Sequence, residues 1–283
     1  MSDVSERLHL SLCVIACNEE RNLARCLDSV PFVDEIVVVV DDRSRDTTEA
    51  IARERGARVR RHPYAGNVEQ KNVALEMARG RWVLALDADE ALRPELAEAM
   101  RGRLRQLPES GDEPAGFELD RVTFHLGRWI RHGEFHPDWQ LRLFQRARGR
   151  WEGVNPHGRV RVRGRVERLE GELAHWSYRD LADQVERIQD FSSVQARAYA
   201  AQGRPARLRD MLLRPPARFV RAYVLKQGFR DGVAGFVIAV ATAFHVFLKY
   251  AKLWELVQHG PEIPAERAHG KARDAASRAD HGR

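Results

Sequence analysis

From His9 to Gln106 two hydrophobic periodicities alternate along the chain. Short β-branched or apolar runs at Leu10 to Ala16, Glu35 to Val40, Arg58 to Arg61 and Trp82 to Leu86 read as strands. Helical patterns lie between them. In the first, Leu23, Leu27 and Val30 recur at helical spacing. The second follows Asp46, a good N-cap, and runs from Thr47 to Arg55 before Gly56 stops it. The third covers Val68 to Ala78, with Gly80 beyond its end, and the fourth has Pro94 at its first turn. Such alternation predicts an α/β fold, a mostly parallel sheet flanked by helices.

After Leu107 the pattern changes. PESGDEPAG reads as a loop, and Gly116 to Arg168 is strand-like and rich in Arg, Trp and His. A helical region begins near Leu181. Between Arg204 and Arg230 there are eight Lys or Arg and one Asp, a local charge of +7 that exceeds the +6 of the whole chain. An uncharged stretch follows, Gly232 to Leu248 (GVAGFVIAVATAFHVFL), and Pro261 to Arg283 is a polar tail rich in Ala and Arg. The expected organisation is an α/β domain over residues 8–178, a basic, amphipathic helical extension over 179–258 and a disordered tail over 259–283.

As a helix the uncharged stretch reaches ~25 Å, short of the ~30 Å hydrocarbon core of a bilayer. Thr242 and His245 interrupt it. A buried core helix and an interfacial membrane helix both fit, and a full span fits less well. The adjacent basic run favours contact with an anionic leaflet.

Composition narrows the class. The chain is 43% apolar and 31% charged, which belongs to a folded globular protein rather than a disordered or repetitive one. Cys13, Cys17 and Cys26 are an odd set with no CxxC pair, so neither a disulfide framework nor a zinc knuckle is expected. They read as small core residues in a reducing compartment. The polar start MSDVSERLHL lacks a signal-peptide apolar stretch, so export is not expected.

The chemistry gathers where the strands end, the edge at which open parallel sheets bind ligands. Asn18, Glu19 and Glu20 follow the first strand, Asp41, Asp42, Ser44 and Asp46 the second, and Asp87, Asp89 and Glu90 the fourth. Taken singly, each cluster reads as solvated loop acids. Carboxylates converging on one edge repel unless a cation is present, so together they point to a hard divalent metal bridging to a phosphate-bearing ligand. Asp87-Ala88-Asp89, after the apolar WVLAL, is the best ligand pair. Lys71, near the start of the third helix, supplies a positive charge for a diphosphate. The acidic strand ends and the lack of a binding motif oppose a nucleic-acid ligand. CNEERN offers acids where a sugar-phosphate nucleotidyltransferase would carry a Gly-rich basic loop.

CVIACNEERNLARCLDSV, DEIVVVVDDRSRDTTEAIA and QKNVALEMARGRWVLALDADE together closely resemble the family 2 glycosyltransferases of the GT-A fold. LGRWIRHGEFHPDWQLRLF and KQGFRDGVAGFVIAVATAFHVFLKYAKLWE extend the likeness to the subgroup containing lipopolysaccharide core glucosyltransferases, so that it covers about Leu10 to Glu255. The resemblance implies a nucleotide pocket lined by Ala16, Asn18 and Glu19, with Asp41 hydrogen-bonded to the base, typically uracil. It places Lys71 at the base or diphosphate. Asp87 and Asp89 become the DxD motif that holds ribose and Mg2+ or Mn2+, with Asp89 as the direct metal ligand. The implied reaction is inverting transfer from a nucleotide-sugar, a UDP-hexose, to a lipid-linked or lipopolysaccharide-core acceptor. The implied setting is peripheral, on the cytoplasmic face of the membrane. An inactive, membrane-docked relative is the other reading.

For the catalytic base the resemblance points to Asp138 in HPDWQLRLF, with Glu134 as the alternative. Gln140 and Arg142 are candidates for acceptor or phosphate contacts, and His157 for a metal or phosphate contact. Two positions depart from the family pattern. Gly158 stands where relatives often carry Glu, and Arg43 replaces a small residue beside the donor pocket. Arg159, Arg161, Arg163 and Arg165 alternate along a strand, as a solvated edge or a contact for an anionic acceptor. Trp129, Trp139 and Trp151 suit either the core or stacking on a sugar ring.

Overall fold

A computed structural model describes residues 8–107, 113–153 and 158–260. Four strands, β1 (Leu10–Ala16), β2 (Glu35–Asp41), β3 (Arg58–His62) and β4 (Trp82–Asp87), pair in parallel in the order β3-β2-β1-β4. Helices α1 (Leu23–Asp28), α2 (Thr48–Glu54) and α3 (Asn67–Met77) connect them. β1, β2 and β4 read as continuous apolar runs because both faces are covered, whereas β3 (RVRRH) is a partly exposed edge strand. Leu12, Val14, Val38 and Leu84 pack on one side, and Cys13, Val37, Val39 and Val83 on the other. Cys13 and Cys26 are buried free thiols, as core residues should be, whereas Cys17 is half-buried and lies outside the core.

The expected parallel arrangement holds over β3-β2-β1-β4, and the remainder of the sheet is mixed rather than purely parallel. After β5 (Glu90–Leu92) and α4 (Pro94–Arg105) come β6 (Gly116–His125), β7 (Arg128–Ile130), β8 (Trp139–Gln145), β9 (Gly149–Glu152), β10 (Arg159–Val162) and β11 (Val166–His175). The main sheet continues from β4 through β8, β6 and β11 to β5, with β7 on β6, while β9 and β10 form a separate ribbon. Pairings β4–β8, β8–β6 and β11–β5 are antiparallel, and only β6–β11 is parallel. β6 and β8 are joined through the short β7 without a crossover helix, which suits antiparallel pairing, whereas β4–β8 and β11–β5 pair across long stretches of chain.

This topology decides what reaches the edge. β6 and β11 run in the same direction as β4, so the carboxyl ends of β1, β2, β4, β6 and β11 share one edge with the amino ends of β5 and β8. The register of β11 against β6 shifts between Arg168 and Glu172. Gly171 lies inside that bulge at φ +103°, and a Cβ there would come within 2.7 Å of the Leu96 backbone of α4.

Three further helices complete the described residues. α5 (Leu181–Ala201) starts at Asp180, whose carboxylate accepts the Asp183 amide. α6 (Leu208–Val220) runs through a π turn (Arg221–Leu225) and a 3-10 turn (Gly228–Asp231) into α7 (Gly232–His259). α7 extends well past the uncharged stretch to 28 residues, and by length and composition alone it is long and apolar enough to cross a membrane. Its inner face is occupied. Ala234 and Ile238 pack on Ile130, and Tyr250 and Leu253 pack on Ala196 of α5. The buried Asp231 carboxylate accepts the amides of Arg131 (3.1 Å) and His132 (2.8 Å), pinning the α6–α7 hairpin to the segment after β7. The expected disordered tail falls, apart from its first two residues, outside the described residues.

A Gly171→Ala variant is expected to lose about 2 kcal/mol through left-handed strain and overlap with α4. Gly102, inside α4 with open space around its Cα, should behave oppositely. Gly102→Ala is expected to gain about 0.5–1 kcal/mol. Urea unfolding of the two variants followed by circular dichroism checks both signs.

Candidate active site

At that shared edge lies a cleft of about 880 Å³. Ala16, Glu19, Asp41, Arg43 and Tyr64 line one end; Arg121, Gln140, Arg142 and His175 line the other. Asp87, Ala88 and Asp89 lie between them.

The acids here are neutralised by the chain's own cations. Asp87, the last residue of β4, meets Lys71 Nζ at 2.6 Å through one oxygen and Arg142 Nη2 at 2.5 Å through the other. The Arg142 guanidinium, only 5% exposed, also meets Glu90 Oε1 at 2.6 Å. Glu90 is fully buried. It accepts Arg121 Nη1 at 2.9 Å and the Asp87 amide at 3.0 Å. Burial pushes the Asp87 carboxyl upward, but Arg142 and then Lys71 outweigh it and hold the group well below the usual carboxylate range. Burial depresses the Arg142 guanidinium, and Asp87 and Glu90 more than restore it. Lys71 therefore serves as a partner of Asp87, and it also lies 4.3 Å from the centre of the Trp151 ring.

At the other end Asp41 is buried and engaged. Its oxygens accept the backbone amide of Arg43 at 2.8 Å and the guanidinium at 2.6 to 3.1 Å, which holds its carboxyl below the ordinary value. The same guanidinium lies 4.3 Å from the centre of the Tyr64 ring. Glu19 points into the cleft, and burial raises its carboxyl. Asn18 does not line this cleft. At φ 57° it ties the loop after β1 to the loop after β2, donating its amide to Ser44 Oγ and accepting the Arg45 amide.

Asp89 carries the freer carboxylate of the Asp-Ala-Asp triplet. Its backbone carbonyl accepts the Trp176 amide, and its Oδ2 lies 3.5 Å from His175 Nε2 at the carboxyl end of β11. Among the described residues there is no group of three or more His, Cys, Asp or Glu able to hold a metal by themselves. One carboxylate beside one imidazole does suit a divalent cation that takes its other ligands from phosphate and water. Asp87 fits direct ligation less well, since both its oxygens are in ion pairs. His157 lies outside the described residues. Gly158 lines the cleft where a Cβ would lie 2.3 Å from Val68 Cγ2, so the site as folded has no room for a larger side chain there.

The two candidate bases are placed differently. Asp138 lies just behind the cleft wall, where its oxygens accept Arg121 Nε at 2.8 Å and Gln140 Nε2 at 2.5 Å; both of those side chains line the cleft. Glu134 is outside it. Its carboxylate is 10% exposed and is held by Arg218 at 2.7 Å and Lys226 at 3.4 Å, from α6 and the turn after it. Trp139 and Trp151 line the cleft, whereas Trp129 packs against Phe124 and Trp176. Sequence reasoning missed Arg121, His175 and Tyr64. The available signal was the alternation of Arg121, Thr123 and His125 in LDRVTFH, and a histidine ending the run ELAH.

Removing Arg142 would leave Glu90 buried with one cation fewer. Arg142→Met is expected to cost about 3–5 kcal/mol in urea unfolding. The pH dependence has a definite sign. Because the Asp87 carboxyl is depressed in the folded protein, its contribution is complete above the ordinary carboxylate range and is lost as pH falls through the depressed value. Arg142→Met should therefore unfold in acid at a higher pH than the wild type, as followed by tryptophan fluorescence.

Comparison with known proteins agrees with this geometry. The family model described as Glycosyl transferase family 2 matches residues 11–163. The lipopolysaccharide core biosynthesis glycosyltransferase LpsC of Rhizobium meliloti is 30% identical over 261 residues, covering 88% of this chain and 93% of that protein. An uncharacterized glycosyltransferase of Rickettsia typhi is 29% identical over 257 residues, 87% of each chain. Among solved structures, the mannosyltransferase PcManGT from Pyrobaculum calidifontis, in complex with GDP-Man and Mn2+, shares the fold at a TM-score of 0.51. It is 15% identical, over 90% of this chain and 89% of that one. With more than half of its length matched by the family model, this chain belongs to glycosyl transferase family 2.

Proposed function

We propose that the protein is an inverting transferase that moves a hexose from a nucleotide-sugar, a UDP-sugar, to a lipid-linked or lipopolysaccharide-core acceptor at the cytoplasmic face of the membrane. One observation carries the reading: Asp87, Asp89, Lys71, Arg142 and His175 share the floor of a single cleft at the strand-end edge. Carboxylate, imidazole and cationic groups side by side suit a diphosphate together with a divalent cation. The named role of LpsC in lipopolysaccharide core biosynthesis supports the acceptor class. The Mn2+ and GDP-Man named for PcManGT support a metal and a nucleotide-sugar donor.

In this reading the nucleotide occupies the end lined by Ala16, Glu19 and Asp41, reached through the β1 and β2 strand ends. Arg43 lies across Asp41, so an incoming base meets a guanidinium paired to a carboxylate, flanked by the flat Tyr64 ring. Asp89 and His175 hold Mg2+ or Mn2+, which when bound supplies Lewis-acid neutralisation of the departing diphosphate. Lys71 and Arg142, already fixed by Asp87, add positive charge along the same side.

The acceptor hydroxyl oxygen attacks the anomeric carbon from the opposite face. The bond from that carbon to the diphosphate oxygen breaks with its electron pair, and the hydroxyl proton passes to Asp138. Arg121 and Gln140 orient the Asp138 carboxylate from the cleft wall; Arg121 meets Oδ2 through both Nε and Nη2, and Oδ1, which accepts Gln140, keeps a lone pair for the proton.

Thermal shifts with UDP, GDP, CDP and ADP, each with and without Mn2+, test the donor half. Metal-dependent stabilisation by UDP, lost in Asp89→Asn, is expected; no shift with any of the four would overturn the reading. For the acceptor half, Asp138→Asn is expected to lower kcat about 10²–10⁴-fold while leaving UDP stabilisation intact. Turnover close to wild type in that variant would remove Asp138 as the base.

A further inference from the structure

We propose that α6, the turns after it and the outer face of α7 form one docking surface that lies in the interface of an anionic bilayer without crossing it. The proposal deepens the membrane-surface part of the proposed function and rests on it, and it names the residues that enter the lipid.

The surface is defined by what is left in water. Between Val233 and Leu248 every exposed side chain of α7 is apolar: Val233, Phe236, Val240, Phe244 and Phe247, spaced as one helical stripe. α6 has no buried residue despite its apolar content. Leu212 and Leu213 are 60% and 67% exposed, and Leu225 in the following turn is 73% exposed. Phe219 and Tyr223 pack on Phe236 at 5.9 and 5.7 Å between ring centres, which joins α6 and its turn to the stripe, and exposed apolar surface of this extent marks an interaction site.

Charge selects the occupant. The segment Arg204–Arg230 that carries the leucines holds eight basic residues and one acid. That acid, Asp210, is already paired to Arg214 at 2.7 Å. Exposed Arg209 and Arg230 therefore flank an apolar strip whose own segment has no other acid, while Arg218, Arg221 and Lys226 face Glu134. Exposed apolar side chains beside arginines on amphipathic helices are the pattern of an interfacial anchor on anionic lipid.

Attachment at both ends of α7 decides against a span. Its start is held by Asp231 on the amides of Arg131 and His132, with Ala234 and Ile238 packed on Ile130. Its later half is held by Lys252, which donates to Gln189 O and Ser192 Oγ at 2.7 Å and to Ser193 Oγ at 2.8 Å on α5. A spanning helix needs about 20 residues facing lipid or other membrane segments. Here one face is committed to the soluble body, so only the stripe remains for lipid.

The surface is also joined to the cleft. Arg218 and Lys226 hold Glu134, and the Gly133 amide donates to Lys226 O, in the segment that leads to Asp138. Docking would bring the acceptor end of the cleft towards the layer in which a lipid-linked acceptor resides.

Flotation of the full chain with vesicles of phosphatidylcholine, with and without phosphatidylglycerol, tests the proposal. The wild type is expected to float only with phosphatidylglycerol present, and less at high salt. Leu213→Glu/Leu225→Glu and Phe236→Glu/Phe244→Glu should each lower the floated fraction about tenfold. Retained UDP stabilisation of these variants would show that they are folded. Wild-type protein that stays at the bottom with anionic vesicles overturns the proposal, as does flotation unaffected by either double variant. A wild-type dimer in sedimentation velocity that the same variants convert to monomer would give the face to a second copy, which also overturns it. Failure of nucleotide binding in the wild type would strike the transferase reading and leave this one standing.

Discussion

A buried guanidinium holds the cleft together. Arg142 reaches from β8 to Asp87 at the end of β4 and to Glu90 at the start of β5, while Arg121 from β6 links Glu90 to Asp138. Glu90 in turn accepts the Asp87 amide, so the turn carrying Asp87 and Asp89 is braced from inside. Without these cations, acids brought to one edge by four strands would repel in a poorly hydrated site. With them, the parallel and antiparallel halves of the sheet are joined at the point where the chemistry gathers. A buried ion network of this kind gains less in stability than in geometry, because desolvation offsets much of its Coulombic attraction.

The same network changes the meaning of the acidic edge. Repulsion among strand-end acids implies a cation, and the chain itself provides three in Lys71, Arg121 and Arg142. What remains for a metal is narrower, Asp89 beside His175. Asp87 then acts through the side chains it holds, fixing Lys71 and Arg142 on the side of the cleft proposed for the diphosphate.

At the opposite end Arg43 pairs to Asp41, so the strand ends there carry a closed carboxylate–guanidinium pair. Beyond the sheet, the α6–α7 hairpin is fastened through Asp231 and Glu134 to residues 131–134, so the apolar outer face and the segment leading to Asp138 belong to one packed unit. Glu134 illustrates the point. Its neighbours in the chain read as a site, yet three-dimensional packing assigns it to the helices.

By itself the sequence determined the first four strands and their helices, because the apolar runs of β1, β2 and β4, the strand–helix alternation that places β3, and Gly and Pro punctuation are local signals. It also determined the acidic strand ends and the family, which rest on short contiguous motifs such as LALDADE. Strand direction beyond Leu107 was decided by tertiary structure, since pairing partners distant in the chain leave no period that distinguishes parallel from antiparallel. So were the roles of Arg121, His175 and Tyr64, which reach the cleft only after the sheet is assembled. The uncharged stretch shows the division most clearly. Its composition fits a core helix and a membrane-surface helix equally well, and only packing against Ile130 and α5 determines which face is buried and which is left exposed.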